Sequence, residues 1–252
     1  MFISPNQAFT LLPPCLPIRK ANMKPCAMTG RKPRFCQLSP IHCLATVLLV
    51  VNNDIKEILL RLLKQKEFNL DEAKAAEIVD AIIDWIDDNE EITGMGAESS
   101  YYSSLPVPYT AKNAPLDCIE ELLMVKGMTS ELFGGTTKTP ALAQFLTIYG
   151  TGVISINTAP KMVLRALSPE ITDELADRID EYRKNENNDL SSVDWYKKVS
   201  GMSGTAIKAG LIDVAKSNYF KIYTTGVSDK MKQNIIGVLQ RSPFKIMSWR
   251  QD

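Results

Sequence analysis

Apolar positions begin to recur at helical spacing just after residue 50. Ile55, Ile58, Leu59, Leu62 and Leu63 form one face of a helix within Asn52 to Glu67. Asn69 or Asp71 can cap a second helix, whose buried stripe is Ala75, Ile78, Val79, Ile82, Ile83 and Ile86. That helix runs into an acidic turn. Tyr101 to Pro115 then reads as a loop, because Pro106, Pro108 and Pro115 each fix φ and remove a backbone donor. Asp117 can cap a helix over Ile119–Lys126, and Gly127 can close it in the left-handed conformation. The apolar stretch Leu142 to Tyr149 predicts a short helix. Thr158 and Pro160 open another, since proline suits a first helical turn, with Leu164 and Leu167 as its buried face. A further helix spans Ile171 to Arg183, with Leu175, Ile179 and Tyr182 on one side. Val193 to Val199, ending in Gly201, repeats the helix-then-glycine pattern.

From Ser217 the period changes to two. Phe220, Ile222, Ile235, Ile236, Val238, Leu239, Phe244, Ile246 and Met247 fall in three short runs, split by Ser228-Asp229 and Ser242-Pro243. That pattern predicts a three-stranded antiparallel meander. Such a sheet is marginal alone and needs a helix on its apolar face. Helices followed by strands give an α+β class. The expected architecture is a two-lobed helical domain, SAM-like or helix-hairpin-helix-like, followed by a small antiparallel sheet. The expected boundaries are a basic head over 1–51, a first helical lobe with the acidic turn and proline loop over 52–126, a second helical lobe over 127–216, and strands over 217–252.

Charge changes this picture only locally. The 252 residues carry no net charge, so a nucleic-acid polyelectrolyte partner is not expected. Residues 1–53 contain no Asp or Glu but hold Arg19, Lys20, Lys24, Arg31, Lys32 and Arg34, whereas acids predominate from Asp54 to Glu98. Four of the five cysteines (Cys15, Cys26, Cys36, Cys43) lie in that head and Cys118 stands apart. Their separations fit no C-x-x-C zinc pattern, and His42 is the only histidine. The apolar run Cys43–Val51 is shorter than the roughly 20 residues that span a bilayer.

The acidic turn carries the candidate chemistry. Asp87, Asn89 and Glu91 alternate, and Glu98 stands at the twelfth place counted from Asp87. Alternating oxygen ligands ending in a glutamate suit Ca²⁺, a hard cation that takes about six to eight oxygens. Ile92 occupies the place where an EF-hand needs glycine, so a different calcium turn is expected, with Asp117 brought in by the proline loop. The candidate ligands are Asp87, Asn89, Glu98 and Asp117, with Asp84 in reserve. A solvated acidic helix end is the plainer alternative.

The motifs D-W-I-D-D-N-E-E-I-T-G-M-G-A-E-S-S-Y-Y, V-P-Y-T-A-K-N-A-P-L-D and I-E-E-L-L-M-V-K-G-M (Asp84 to Met128) resemble the signature region of the general secretion pathway protein K family, the large minor pseudopilin of type II secretion systems. The resemblance continues at I-S-I-N-T-A-P-K-M-V-L-R-A-L (Ile154 to Leu167) and at S-N-Y-F (Ser217 to Phe220). It implies a non-enzymatic role at the pseudopilus tip, in complex with other minor pseudopilins, at the inner membrane and periplasm. It also implies structural calcium in the acidic region. The family's D-W-x-D-x-D and G-A-E-D read D-W-I-D-D-N and G-A-E-S here, so Asn89 and Ser99 replace two acids and lower the expected affinity. The family's prepilin leader, long apolar stalk helix and first pilin strands are not recognisable in residues 1–50. That head is expected to be disordered or a miscalled start, which leaves membrane anchoring unassigned.

Two further patterns compete for function. The turns Val125-Lys-Gly-Met-Thr129 and Val199-Ser-Gly-Met-Ser-Gly204 resemble helix-hairpin-helix modules, whose backbone N–H groups hold a DNA phosphate. Lys126, Lys197, Lys198 and Lys208 could add charge, and this is the alternative reading: a soluble module binding DNA without sequence specificity. Helix closure by glycine explains the same turns more simply. Tyr101, Tyr102 and Tyr109 with Pro106 and Pro108 could form a partner surface or pack over the chain's own helices. No nucleophile elbow, phosphate loop or metalloprotease helix is recognisable, so no enzyme is expected.

Overall fold

The apolar stripes along the chain are the faces through which its helices meet. A computed structural model of the protein describes residues 36–40, 53–150, 152–215, 218–228 and 231–251. Cys15, Cys26, Cys43, His42 and the run Cys43–Val51 lie outside the described residues. Of Cys36 only the strand backbone is described. The chain divides into two units, one of residues 40–220 and one that takes in Lys221–Asp252.

The head contributes a strand, β1 (Cys36–Pro40). In the larger unit, α1 (Asn53–Leu63) buries Ile55, Ile58, Leu59, Leu62 and Leu63. Full burial of each such side chain is worth roughly 1.5–3 kcal/mol relative to exposure. Helix α1 packs on α2 (Glu72–Ile86) and on α5 (Lys161–Leu167), and α5 packs on α6 (Asp173–Lys184). Polar reach reinforces the α1–α5 contact: Arg61 Nε donates to Ala166 O (2.7 Å) and Gln65 Nε2 to Met162 O (2.7 Å). One buried cluster runs from α1 through Trp195 and Met202, so the two expected helical lobes share a core. Trp195 is fully buried, stacks on Tyr182 and donates from Nε1 to Asn157 Oδ1 (2.7 Å).

Several local expectations are refined. Asp71 caps α2, accepting from Lys74 N at 2.7 Å, while Asn69 (φ 50°) closes the preceding 3-10 turn Lys66–Phe68. The expected loop from Tyr101 begins instead inside a short helix, α3 (Ser99–Ser103), because the prolines start only at Pro106. Asp117 does not cap the next segment. Ile119–Met124 is a 3-10 helix with Cys118 at the N-cap, and Glu121 folds back to accept from the N–H groups of Asp117 and Cys118. Gly127 is left-handed as expected (φ 81°), and α4 (Ser130–Gly134) follows, capped by Thr129. The expected helix over Leu142–Tyr149 is only a 3-10 turn, Leu142–Gln144. Short parallel strands β2 (Ile154–Ser155) and β3 (Ile212–Asp213) pair Ile154 with Ile212 across the stretch of chain that holds α5 and α6, a pairing no local pattern announces.

The meander is present as β4 (Tyr219–Ser228), β5 (Met231–Gln240) and β6 (Lys245–Gln251). Strand order is β1-β4-β5-β6, so the head adds a fourth strand beside β4. Strands β5 and β6 are antiparallel, with a register shift between Val238 and Leu239 that leaves Met247 unpaired.

Candidate metal centre

Asp80, Asp84 and Asp87 stand at i, i+4 and i+7 along the last turns of α2, and so on one helix face. Their surroundings differ. Asp80 is buried, its Oδ1 lying 2.7 Å from Lys56 Nζ on α1 while Oδ2 accepts from Met95 N at 3.0 Å. Asp84 is fully buried, and its Oδ1 accepts from Thr93 N at 3.0 Å. Its Oδ2 has no hydrogen-bond partner. Asp87 is the C-cap residue and its Oδ1 accepts from Asn89 N at 3.3 Å. A helix C-terminus is the negative end of the macrodipole, so carboxylates gathered there call for a cation.

The chain then folds back over this face through a glycine turn. Gly94 is left-handed (φ 54°), and Gly96 N closes on Thr93 O at 2.8 Å. A Cβ on Gly94 would collide with Asp80 Oδ2, and one on Gly96 with Asp84 Oδ2. The two glycines therefore admit backbone against carboxylates. The turn delivers Glu98, 1% exposed, whose two carboxylate oxygens lack any hydrogen-bond partner. Ligand oxygens of Asp84, Asp87 and Glu98 all lie within 4.8 Å of one another.

Such a set cannot be fully ionised cheaply. Burial, reinforced by the charges of Asp84, Asp87 and Glu90, pushes the Glu98 carboxyl up to about 7. Burial also raises Asp84 and Asp87. Orphaned buried carboxylates resolve their repulsion either by keeping a proton or by taking a cation. The donor set is all oxygen, which fits a hard ion such as Ca²⁺ and suits soft metals poorly.

Of the ligands expected from sequence, Asp87 and Glu98 come together, and Asp84, held in reserve, joins them as their most buried member. Asp117 lies outside the group: its carboxylate pairs with Lys112 (2.7 Å) and is mostly exposed. Asn89 spends its Oδ1 on Glu91 N (2.7 Å) and its backbone carbonyl on Asn113 Nδ2 (3.2 Å). The proline loop docks through Asn113, whose N–H reaches Trp85 O, and through Ala111 N to Ser99 Oγ. The signal for Asp84 was an acid inside the apolar run Ile82, Ile83, Trp85 and Ile86. Asp80 had the same signal, one turn earlier.

The other candidate features are occupied within the fold. Tyr102 and Tyr109 stack on each other, and both meet Trp85 edge-on, so most of the tyrosine loop packs on α2. Lys126 Nζ donates to the carbonyls of Met95 (3.0 Å) and Gly96 (3.1 Å). Lys197 pairs with Asp194 and Lys208 with Asp54. These three lysines are thus engaged within the protein. Among the described residues no helix is long and apolar enough to cross a membrane.

Residues 48–146, which contain the whole acidic site, match the family model described as type II secretion system protein K. Two curated relatives are type II secretion system protein K of Pectobacterium carotovorum subsp. carotovorum and of Aeromonas hydrophila. The first is 40% identical over 60 residues and the second 37% over 69, covering 24% and 27% of this chain. The aligned regions span about a fifth of those relatives (18% and 21%). The fold is also similar to a chain in the crystal structure of the GspK-GspI-GspJ complex from the enterotoxigenic Escherichia coli type 2 secretion system. That match has a TM-score of 0.68 at 18% identity, and covers 88% of this chain and 84% of that one. Residues 48–146 are thus the part of this chain that is similar to the type II secretion system protein K family.

Proposed function

We propose that this chain is a non-enzymatic minor pseudopilin of a type II secretion system, and that Asp84, Asp87 and Glu98 hold a structural calcium ion. The metal would neutralise carboxylates that burial has left without partners, and so fasten the glycine turn to the end of α2. The observation that carries this reading is the buried Glu98, with both oxygens unpartnered, inside the segment matched to the protein K family. Asn89 Oδ1 already accepts from Glu91 N and Asp117 already pairs with Lys112, so neither is placed in the proposed set. By analogy with the GspK-GspI-GspJ complex, its partners are two further minor pseudopilins, and its place is the pseudopilus tip at the inner membrane and periplasm. The glycine-closed turns at Gly127 and Gly201 support the SAM-like description of the helical part.

Two measurements test this reading. In a thermal melt with excess chelator and then with millimolar calcium, a ligand bound only by the folded state adds about 2.7 kcal/mol at a hundredfold excess over its dissociation constant. A calcium-specific rise is expected, and no rise in a well-folded sample removes the metal from the proposal. Co-expression with counterparts of GspI and GspJ should yield a ternary complex on gel filtration. Failure of the three to associate counts against the tip assignment.

A further inference from the structure

The turn that carries Glu98 is held from two sides by groups that are not themselves candidate ligands. On one side is Asp80, tied to Lys56 of α1 and accepting the Met95 N–H. On the other is Lys126, whose ammonium donates to the carbonyls of Met95 and Gly96, lies 3.5 Å from Glu77 Oε1 and sits 5.2 Å from the centroid of the Tyr101 ring. One residue, Met95, is thus gripped at its N–H by an anion and at its carbonyl by a cation. The neighbouring Gly96 lies against Asp84, and Glu98 follows two residues later.

We infer that Asp80 and Lys126 are positioning residues that clamp the Thr93–Glu98 turn, so that the Asp84, Asp87 and Glu98 carboxylates are pre-assembled for a divalent cation. This inference rests on the calcium reading above. Groups that orient ligands without touching a metal typically change its affinity by about 10–100-fold. The sign separates this role from simple electrostatics. Removing a nearby positive charge should tighten cation binding, whereas loosening the clamp weakens it.

The test is isothermal titration of the whole chain with calcium chloride, alongside melts in chelator, for the parent, Lys126→Met, Lys126→Arg and Asp80→Asn. The expected result is calcium binding weakened at least tenfold in Lys126→Met and largely restored in Lys126→Arg. Asp80→Asn should also bind more weakly, because the amide loses its ion pair with Lys56. Unchanged or tighter binding in Lys126→Met overturns the inference. So does a Lys126→Met protein that melts lower in chelator yet keeps the parent's calcium affinity, since the lysine is then only structural. Absence of calcium binding by the parent itself defeats the underlying metal reading instead, so the two failures are distinct.

Discussion

Asp80 and Asp84 lie one turn apart on the same buried face of α2, and Lys56 Nζ sits 2.7 Å from Asp80, whereas Asp84 keeps an oxygen without any partner. The difference sorts two chemically identical side chains. Asp80 is a neutralised structural anion, while Asp84, with Asp87 and Glu98, is left with charge that only a proton or an added cation can balance. Four predictions follow from this sorting and from the packing around it.

Glu98→Gln should separate folding from metal binding. Without metal at pH 8, the neutral amide removes a buried charge and can donate to an Asp84 or Asp87 oxygen, so the variant should melt above the parent. The calcium-induced rise should disappear. Paired melts in chelator and in calcium check both halves, and a variant that keeps the calcium response removes Glu98 from the ligand set.

The same residue fixes a pH dependence. Its folded-state value of about 7 exceeds the ordinary 4.5, so between those limits the folded state holds more protons than the unfolded state. Stability from this group is therefore complete below about pH 4.5 and is lost as pH rises towards 7, by up to about 3 kcal/mol at 1.36 kcal/mol per pKa unit. In chelator, the stability difference between parent and Glu98→Gln should widen across that window and level off above it. A difference independent of pH would mean that Glu98 titrates normally.

Asp117→Ala should leave calcium affinity unchanged and cost at most about 1 kcal/mol, the usual worth of an exposed ion pair. Asp84→Asn should weaken calcium binding strongly. Titration calorimetry on the two variants compares a residue that the proline loop was expected to bring in with a reserve residue that the fold places among the gathered carboxylates. The opposite ranking would return Asp117 to the site.

Gly96→Ala should disturb the turn, because the new Cβ meets Asp84 Oδ2 and crowds the Thr93 carbonyl. Overpacking of this kind costs about 1–3 kcal/mol. Gly204→Ala, whose Cβ meets nothing within 4 Å, is the control. Equal melting temperatures for the two variants would contradict the close approach of the turn to α2.

Much of this protein could be read from its sequence because the decisive signals are local. The stripe Ile55, Ile58, Leu59, Leu62 and Leu63 can bury one face only as a helix, and its burial is what α1 shows. The left-handed Gly127 and Gly201 follow from helix closure, and the period-two runs after residue 217 become β4, β5 and β6. The acidic turn itself was equally legible, since Asp84 to Glu98 are fifteen consecutive residues. Tertiary structure decided which of these carboxylates gather. Lys112 draws Asp117 away, Lys56 neutralises Asp80 but not Asp84, and Lys126 reaches across to the turn. Each of these choices depends on which charged group another element carries into range. Coulombic pairing acts through space, and spacing along a chain does not encode the distances that select its partners.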